Sequence, residues 1–387
     1  WWSPSAPGAH PPSPEGSLPW SSRGLGALAR PLQPVYQWLA QAAATRGRRN
    51  APTDLRVPVL VVGNIVVGGA GKTPTVIALV EALRAMGHRP IVVSRGHGRR
   101  THDTRAVQPQ ALAEDVGDEP LLVARRTGVP VVVASRRLDA LQKGLADWPQ
   151  TTVVVSDDGL QHLALPRSLE VIVFDERGVG NGRLLPAGPL REPLPKADLR
   201  RASDSAGDSR GVPRPARVVL YNAASPSTPL PGACASRQVT RAVPLAGWAA
   251  GTPDGAVPLE RWRGRTVHAA AGIAAPERFF RSLEDRGLRL HRWPLPDHDP
   301  LDELPWPPDA DLVLVTEKDA VKLAPRATTL PAVWVVPLDF ALPPELLEHL
   351  RKVVGAPSRA DGGAADPTSA ASTDRTVHPS DSTGPTS

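Results

Sequence analysis

The chain has 387 residues, which is enough for two ordinary domains, and a formal net charge of +6 at pH 7. It has a single cysteine, Cys234, which excludes an internal disulfide and suits a reducing compartment. The excess of basic residues favours anionic partners, namely nucleotides, nucleic acid or an anionic lipid surface.

The first 50 residues divide into two parts. Residues 1–18 are rich in Pro, Ser and Gly and are predicted to be disordered. In residues 19–50, apolar side chains recur near helical spacing and arginines follow them, which predicts an amphipathic membrane-associating helix. Arg30, Pro31 and Pro34 interrupt this segment too often for it to span a bilayer. A helix packed on the protein's own core explains the same pattern equally well.

Strands alternate with helices in residues 51–216. The predicted strands are 57–62, 90–94, 129–134, 152–156 and 171–174, and the predicted helices are 75–86, 120–127 and 136–147. Continuous apolar strands separated by helices are typical of an α/β fold, with a mostly parallel sheet covered by helices on both faces. Ligands bind such sheets at the carboxyl ends of the strands. Residues 200–216 are predicted to be a surface loop or insertion.

Residues 217–355 form a second, smaller block. Its predicted strands are 217–221, 266–271, 289–293, 312–316 and 333–337, and its predicted helices are 276–286 and 343–354. This pattern predicts a smaller C-terminal α/β domain. The tail, residues 356–387, is rich in Ser, Thr, Asp and Gly and is predicted to be disordered.

The segment after the first strand is a predicted phosphate-binding loop. An apolar strand, a glycine-rich turn, Lys-Thr and a helix follow one another, as in P-loop proteins, although Val66 stands where the strict pattern has glycine. A glycine-rich turn without a ligand is the alternative. In the functional interpretation, Lys72 reaches the β- and γ-phosphates and the Thr73 hydroxyl binds Mg²⁺. The predicted nucleotide-binding residues are Gly68, Gly69, Ala70, Gly71, Lys72, Thr73 and Pro74.

Two acidic segments are candidates for metal binding and catalysis. Asp157 and Asp158 follow an apolar strand, where an acid orients Mg²⁺ in P-loop proteins, although a solvated turn would look the same. Asp118 precedes a predicted helix, so it is either a helix cap or a base near the transferred phosphate.

Two further loops carry arginines. Arg95 and Arg99 lie between glycines after the second strand, in a segment that fits either an anionic substrate group or a flexible charged loop. Arg191 and Glu192 lie in an irregular loop rich in Pro and Gly, near the predicted phosphates and metal.

Two segments in the second block are also charged. His298 lies between Asp297 and Asp299, which favour its protonation. It is either a structural or exposed histidine, as a lone histidine usually is, or a residue that orients a catalytic acid. Residues 315–323 are interpreted as a densely charged turn after a strand, with helix capping as its plainest role.

These segments together resemble one family, the tetraacyldisaccharide 4′-kinases of lipid A biosynthesis. The resemblance covers about residues 25–350 and includes the absence of glycine at position 66. It rests on the segments 63–74, 94–99, 117–120, 157–162, 185–193, 272–280, 296–298 and 316–322. His97 departs from it, because tyrosine is expected there, and Asp299 stands where a second histidine is common.

The resemblance implies a P-loop kinase that transfers the γ-phosphate of ATP to the 4′-hydroxyl of tetraacyldisaccharide 1-phosphate and so forms lipid IVA. It implies ATP and Mg²⁺ as cofactors, a lipid substrate and a membrane surface as partners, and no nucleic acid. The implied location is the cytoplasmic face of the bacterial inner membrane, peripheral or monotopic. The oligomeric state stays open.

By the same resemblance, Asp118 is the acid that helps to deprotonate the 4′-hydroxyl, and His298 is its partner. We expect closure of the second domain over the nucleotide to bring the two together. The implied metal ligands are Thr73, Asp157, Asp158 and Glu192, and the implied substrate-binding residues are Arg95, Arg99 and Arg191.

Two other functions fit parts of the sequence. One is a membrane-bound nucleotide switch without phosphotransfer, and the other is a P-loop kinase of a soluble metabolite. A switch has no need of an acceptor-activating base, and a soluble substrate requires no membrane-docking helix.

Overall fold

A computed structural model describes residues 30–49, 52, 55–195, 215–252 and 254–356. The predictions for residues 1–18, 200–214 and 357–387 lie outside this part of the chain.

The first sheet has eight strands in the order β3-β4-β2-β5-β1-β6-β7-β8. All neighbours are parallel except β3 and β4. Its strands are β1 Val59–Gly63, β2 Pro90–Ser94, β3 Arg105–Ala106, β4 Val131–Val133, β5 Val153–Ser156, β6 Leu169–Asp175, β7 Ala216–Asn222 and β8 Ala233–Cys234. The strands β1, β2, β4, β5 and β6 are buried along their whole length, as expected when both faces of a sheet are covered. The predicted parallel α/β fold is confirmed.

The helices of this first half begin with α1, which precedes the sheet. They are α1 Gln33–Arg49, α2 Lys72–Ala85, α3 Ala113–Val116, α4 Asp118–Thr127 and α5 Arg137–Asp147. A short 3-10 turn, Arg30–Leu32, leads into α1.

The second sheet has six strands in the order β11-β10-β15-β14-β12-β13. They are β10 Arg241–Pro244, β11 Val257–Pro258, β12 Thr266–Ala271, β13 Arg289–Pro294, β14 Val313–Thr316 and β15 Val333–Val336. A separate antiparallel pair joins β9 Ser236–Gln238 to β16 Asp339–Ala341. The helices here are α6 Leu245–Ala249, α7 Pro276–Glu284, α8 Glu317–Leu323 and α9 Pro344–Val354. Two 3-10 turns are Leu259–Trp262 and Ala324–Thr329.

The predicted start of the second block, at residue 217, is wrong for its first strand. β7 pairs in parallel with β6 over its full length, so it belongs to the first sheet. Leu346 and Leu350 of α9 also pack into the core of the first sheet. An apolar strand is recognisable from its sequence, but its pairing partner is chosen by tertiary packing.

The segment 315–323, interpreted as a charged turn, is a strand end followed by a helix. The Thr316 side chain accepts a hydrogen bond from the backbone N–H of Asp319 and so caps α8. This helix packs against α4 of the first half. The Arg126 guanidinium joins the two helices, because its Nη1 lies 2.6 Å from both carboxylate oxygens of Glu317.

Helix α1 is attached to the rest of the protein by polar contacts. Gln33 Nε2 donates to the Leu184 carbonyl at 3.0 Å, and Tyr36 Oη donates to the Arg191 carbonyl at 2.9 Å. Apolar side chains near its start stay exposed: Leu32, in the preceding turn, and Val35, Trp38 and Leu39 of α1 are 54–67% exposed. The helix thus packs on the protein through one face and exposes apolar residues elsewhere, and its association with a membrane stays a prediction. No helix in the described residues has the length and apolar character needed to cross a membrane.

Candidate active site

The phosphate-loop segment has the shape that its sequence predicts. It leaves β1 at Gly63 and enters α2 at Lys72, with Gly71 as the N-cap in the left-handed region at φ 85°. Asn64 Nδ2 donates to the carbonyls of Val66 and Gly68 and so holds the turn from inside. Lys72 Nζ donates to Asn64 Oδ1 at 3.2 Å. The loop is therefore pre-formed at a helix N-terminus, which is a favourable place for phosphate.

Two residues that the sequence analysis missed support this loop from the next strands. Asn222, at the end of β7, donates through Nδ2 to the Ala70 carbonyl at 3.0 Å. Arg177, just after β6, donates to the Gly69 carbonyl at 2.8 Å. A Cβ on Gly71 would lie 1.9 Å from Asn222 Nδ2, so this position requires glycine for space as well as for its φ angle. The only sequence signal for Asn222 is its place at the carboxyl end of an apolar strand.

The two predicted metal-binding aspartates have different environments. Asp157 is buried, its Oδ2 accepts from Ser94 Oγ at 3.2 Å, and its Oδ1 has no hydrogen-bond partner among the described residues. Burial, followed by the charges of Glu119 and Asp158, raises the pKa of Asp157 to about 7. A buried carboxylate oxygen without a donor is suited to a cation or its bound water.

Asp158 faces cations instead. Burial by itself raises the pKa of Asp158, but Lys72 and Arg191 outweigh burial and leave that pKa below its usual range. The carboxylate lies 3.6 Å from Lys72 Nζ and 3.4 Å from Arg191 Nη1. Asp158 therefore stays ionised beside the phosphate-loop lysine.

Glu192 is connected to the phosphate loop through the side chain of Gln161. Its Oε1 accepts from Gln161 Nε2 at 3.0 Å, and the same amide nitrogen lies 3.2 Å from the Asn64 carbonyl. Burial, as the largest cause, raises the pKa of Glu192. Within the described ranges, no group of three or more His, Cys, Asp or Glu side chains is arranged to hold a metal ion. A Mg²⁺ ion needs only one or two carboxylates when substrate phosphates supply further oxygens, so Thr73 with Asp157 and Asp158 remains a suitable donor set.

Asp118 and His298 are in contact, while the expected closure over the nucleotide stays a prediction. Asp118 is the first residue of α4, and His298 Nδ1 lies 2.9 Å from its Oδ2 and 3.2 Å from its Oδ1. Burial opposes ionisation of Asp118, yet the hydrogen bond from His298 and the charge of Lys318 hold the pKa of Asp118 below its usual range. The same hydrogen bond, as the largest cause, raises the pKa of His298. The backbone of His298 is left-handed, with φ 65°, which is uncommon for a residue other than glycine.

A cleft of about 220 Å³ lies between the phosphate loop and the second half of the chain. Its polar end contains Lys72, Thr73, Glu119 and Lys318. Its apolar wall comes from α2, α7 and the strands of the second half and includes Ile77, Val239, Ile273, Phe279, Val336, Leu338 and Phe340. A phosphate-binding end joined to an apolar end suits a nucleotide. A second cavity, of about 390 Å³, is lined by Asp118 and His298.

Family membership follows from comparison with known proteins. The tetraacyldisaccharide-1-P 4′-kinase family model matches residues 25–355. This chain belongs to that family. It is 48% identical to the tetraacyldisaccharide 4′-kinase of Leptothrix cholodnii over 339 residues, which are 87% of this chain and 92% of that relative. It is 49% identical to the corresponding enzyme of Methylibium petroleiphilum over 341 residues, 86% of this chain and 90% of that one.

A solved structure has the same fold. It is the crystal structure of LpxK from Aquifex aeolicus in complex with ATP, with a TM-score of 0.65 and 24% identity. The match covers 85% of this chain and 99% of that chain. The predicted family and the predicted fold are thus both confirmed.

The three arginines predicted to bind substrate differ in their surroundings. Arg95 is exposed. Arg99 is buried within its own loop, where Nη1 lies 3.4 Å from Thr101 Oγ1, and burial lowers the pKa of this arginine. Arg191 joins Asp158 to the loop around Gln161. In this 4′-kinase family member, substrate binding by these three arginines stays a prediction.

Proposed function

We propose that this protein transfers the γ-phosphate of ATP to the 4′-hydroxyl of tetraacyldisaccharide 1-phosphate, which forms lipid IVA. The observation that carries the proposal is that Lys72 and Lys318 line one cleft, and that Lys318 also contacts the carboxylate–histidine pair, Asp118 and His298, in a chain of this family. A nucleotide switch requires the first feature but has no use for the second.

ATP is the substrate that the loop and the cleft suit. The backbone N–H groups between Gly68 and Thr73 and the Lys72 ammonium would hold the β- and γ-phosphates. Thr73 with Asp157 and Asp158 would hold Mg²⁺, which neutralises charge on the phosphates. Glu192 would support this set through Gln161 rather than contact the ion directly.

Asp118 acts as the base. Its carboxylate is kept ionised by its neighbours, so it accepts the proton of the 4′-hydroxyl as the oxygen attacks the γ-phosphorus in line with the leaving ADP oxygen. The hydrogen bond from His298 orients this carboxylate. The arrangement supplies position and charge, which account for most of the rate in phosphoryl transfer.

Helix α1 supports a membrane surface as the place of reaction. Val35, Trp38 and Leu39 form an exposed apolar face, and Arg30 and Arg46 lie near its two ends. An acylated substrate resides in a membrane, and this helix would bring the site to the cytoplasmic surface of the inner membrane.

The test is transfer of label from γ-labelled ATP to detergent-dispersed tetraacyldisaccharide 1-phosphate in the presence of Mg²⁺. We expect labelled lipid with the wild type and almost none with Lys72→Ala or Asp118→Asn. Lys143→Ala and Asp139→Asn, on the exposed face of α5, are matched controls that keep activity. ATP binding without labelled lipid would contradict the proposal and favour a switch or a soluble acceptor.

A further inference from the structure

Lys318 reaches from the second half of the chain into the Asp118–His298 pair. It is the second residue of α8, and its side chain is only 13% exposed. Its Nζ atom lies 2.7 Å from Asp297 Oδ1 and 3.3 Å from His298 Nε2. The same atom lies 3.5 Å from Glu119 Oε1 and 3.8 Å from Asp118 Oδ2.

This nitrogen is an ammonium. Burial lowers the pKa of Lys318, but the carboxylates of Glu119, Asp118 and Asp297 outweigh it and leave the pKa above its usual value. An ammonium has three N–H donors and no acceptor. Toward His298, therefore, Lys318 donates, and the imidazole Nε2 has to be the acceptor.

The tautomer of His298 follows from this contact. A ring whose Nε2 accepts a hydrogen bond carries its proton on Nδ1. Nδ1 is the atom that lies 2.9 Å from the Asp118 carboxylate. The ring is thus placed between one donor and one acceptor, with its single proton directed at the proposed base.

A second proton on this ring is opposed by Lys318. An N–H on Nε2 would face the ammonium at 3.3 Å, so two donors and two positive charges would meet. The nearest acceptor, Asp297 Oδ1, already accepts from Lys318 and lies 3.8 Å from Nε2, which is too long for a hydrogen bond. In the opposite direction, Asp118 is the main cause that raises the pKa of His298, and Asp297 also raises it. The other groups that face this site are Glu119 on α4, Lys322 on α8 and the ring of His97, whose centroid is 5.3 Å from that of His298.

Lys322 does not replace Lys318 in this arrangement. Its Nζ is taken up by Asp319 Oδ1 at 2.9 Å and by the Asp299 carbonyl at 2.6 Å. It therefore holds the loop that carries His298, whereas Lys318 contacts the ring itself.

We propose that Lys318 is a positioning residue for the base: its ammonium opposes a proton on His298 Nε2, selects the Nδ1–H tautomer of the neutral ring and keeps Asp118 ionised. The proton of the acceptor hydroxyl then moves to Asp118 while the Nδ1 proton stays on the ring. The hydroxyl oxygen forms its bond to the γ-phosphorus, and the bond to the ADP oxygen breaks. The role in catalysis rests on the proposed kinase function, but the tautomer does not.

The first readout is the ¹⁵N NMR signal of the His298 ring, assigned by its loss in His298→Gln. At alkaline pH, above the raised pKa of His298, we expect the wild type to show a proton on Nδ1 and a free Nε2. In Lys318→Met, which keeps the length of the side chain without its charge, we expect the ring to take up a second proton, with its pKa higher by about one unit. An Nε2–H ring in the wild type, or an unchanged ring in Lys318→Met, would overturn the proposal.

The second readout is the pH dependence of kcat. Without Lys318 both Asp118 and His298 bind protons more readily. The pH below which kcat falls should therefore rise by about one unit, and activity should recover at alkaline pH. Lys318→Arg, which keeps the charge, should restore the wild-type pH dependence of kcat. Lys352→Met, on the exposed face of α9, should leave that pH dependence unchanged. If Lys318 only joined the two halves, its loss would lower Tm and would lower kcat by the same factor at every pH, and the pH at which kcat falls on the acidic side would not change. Absence of phosphotransfer in the wild type would overturn the kinase proposal, while the NMR measurement would still decide the tautomer.

Discussion

His298 follows Asp118 by 180 positions, yet its Nδ1 atom lies 2.9 Å from the Asp118 carboxylate. Asp118 begins α4 in the first half, and His298 lies between β13 and β14 in the second. The packing of α4 against α8 brings the two segments together. A pair formed in this way is expected to act as one unit, so that loss of either residue removes much of what the other contributes.

The pair predicts non-additive kinetics. We expect Asp118→Asn to lower kcat by about 10²- to 10⁴-fold, because it removes the general base. His298→Gln should lower it less, and the double variant should be no slower than Asp118→Asn alone. Single-turnover phosphate transfer measures the rates, and the Kd for ATP should stay unchanged because neither side chain lies on the phosphate loop. Independent, multiplicative losses would contradict the prediction.

The buried ion pair between the halves predicts a large effect on stability. Glu317 is 7% exposed and also accepts from the Leu338 N–H and the Trp248 indole. Arg126→Met removes its cation, and we expect the free energy of unfolding to fall by about 3–5 kcal/mol. Urea unfolding measures this change, and Arg126→Met combined with Glu317→Gln should recover part of it.

The control for this prediction is a second ion pair that lies on the solvent-exposed surface of the protein. Lys352 and Glu348 are paired at 2.7 Å on α9, with side chains 68% and 63% exposed. Lys352→Met should cost less than about 1 kcal/mol. If Arg126→Met were as mild as this control, the two halves would not depend on Glu317 being neutralised.

The exposed face of α1 predicts binding to lipid. Trp38→Ser with Leu39→Ser should weaken sedimentation with anionic lipid vesicles by at least about tenfold, because apolar area is no longer buried in the interface. Tm should not change, since both side chains are exposed. Gln37→Ser on the same helix is the matched control. Equal sedimentation of the variant and the wild type would rule out this face as the docking surface.

The burial of Asp157 predicts that the free energy of unfolding depends on pH. Its pKa is raised from 3.8 to about 7, so the unfolded chain releases this proton more readily than the folded protein does. The free energy of unfolding therefore falls as pH rises between these values and loses nothing more above them. Asp157→Asn should stabilise the protein clearly at pH 8 and much less at pH 5.

Urea unfolding at the two pH values, with EDTA present to remove divalent cations, measures this difference. Asp139→Asn, an exposed substitution on α5, should change the free energy of unfolding by the same amount at both pH values. A gain from Asp157→Asn that is the same at pH 5 and pH 8 would contradict a raised pKa at this position.

Local patterns in the sequence predicted the elements around the nucleotide. Continuous apolar runs identified β1, β2, β5 and β6 because strands buried on both faces need apolar side chains throughout. Glycines followed by Lys72 identified the loop because its turn needs left-handed backbone, as at Gly71. The family resemblance supplied the roles of Asp118 and His298, which spacing alone left open.

Other features depended on packing between distant segments. The strand 217–221 was recognised from its apolar residues, but only pairing with β6 placed it in the first sheet. That pairing also brought Asn222 to the loop, where it supports Ala70. The charged segment 315–323 gave no sign of its contacts, since the partners of Glu317 and Lys318 lie about two hundred positions away or in another loop.

The sequence by itself determined the family, the parallel α/β fold and the phosphate loop, because each depends on residues that are neighbours in the chain or on motifs in a set order. Only the tertiary structure decided which sheet β7 joins and which residues of other strands donate hydrogen bonds to the phosphate loop. It also decided how Lys318, His298 and Asp118 come into contact. Those contacts depend on how two halves of the chain pack, and no local spacing encodes a distance between them.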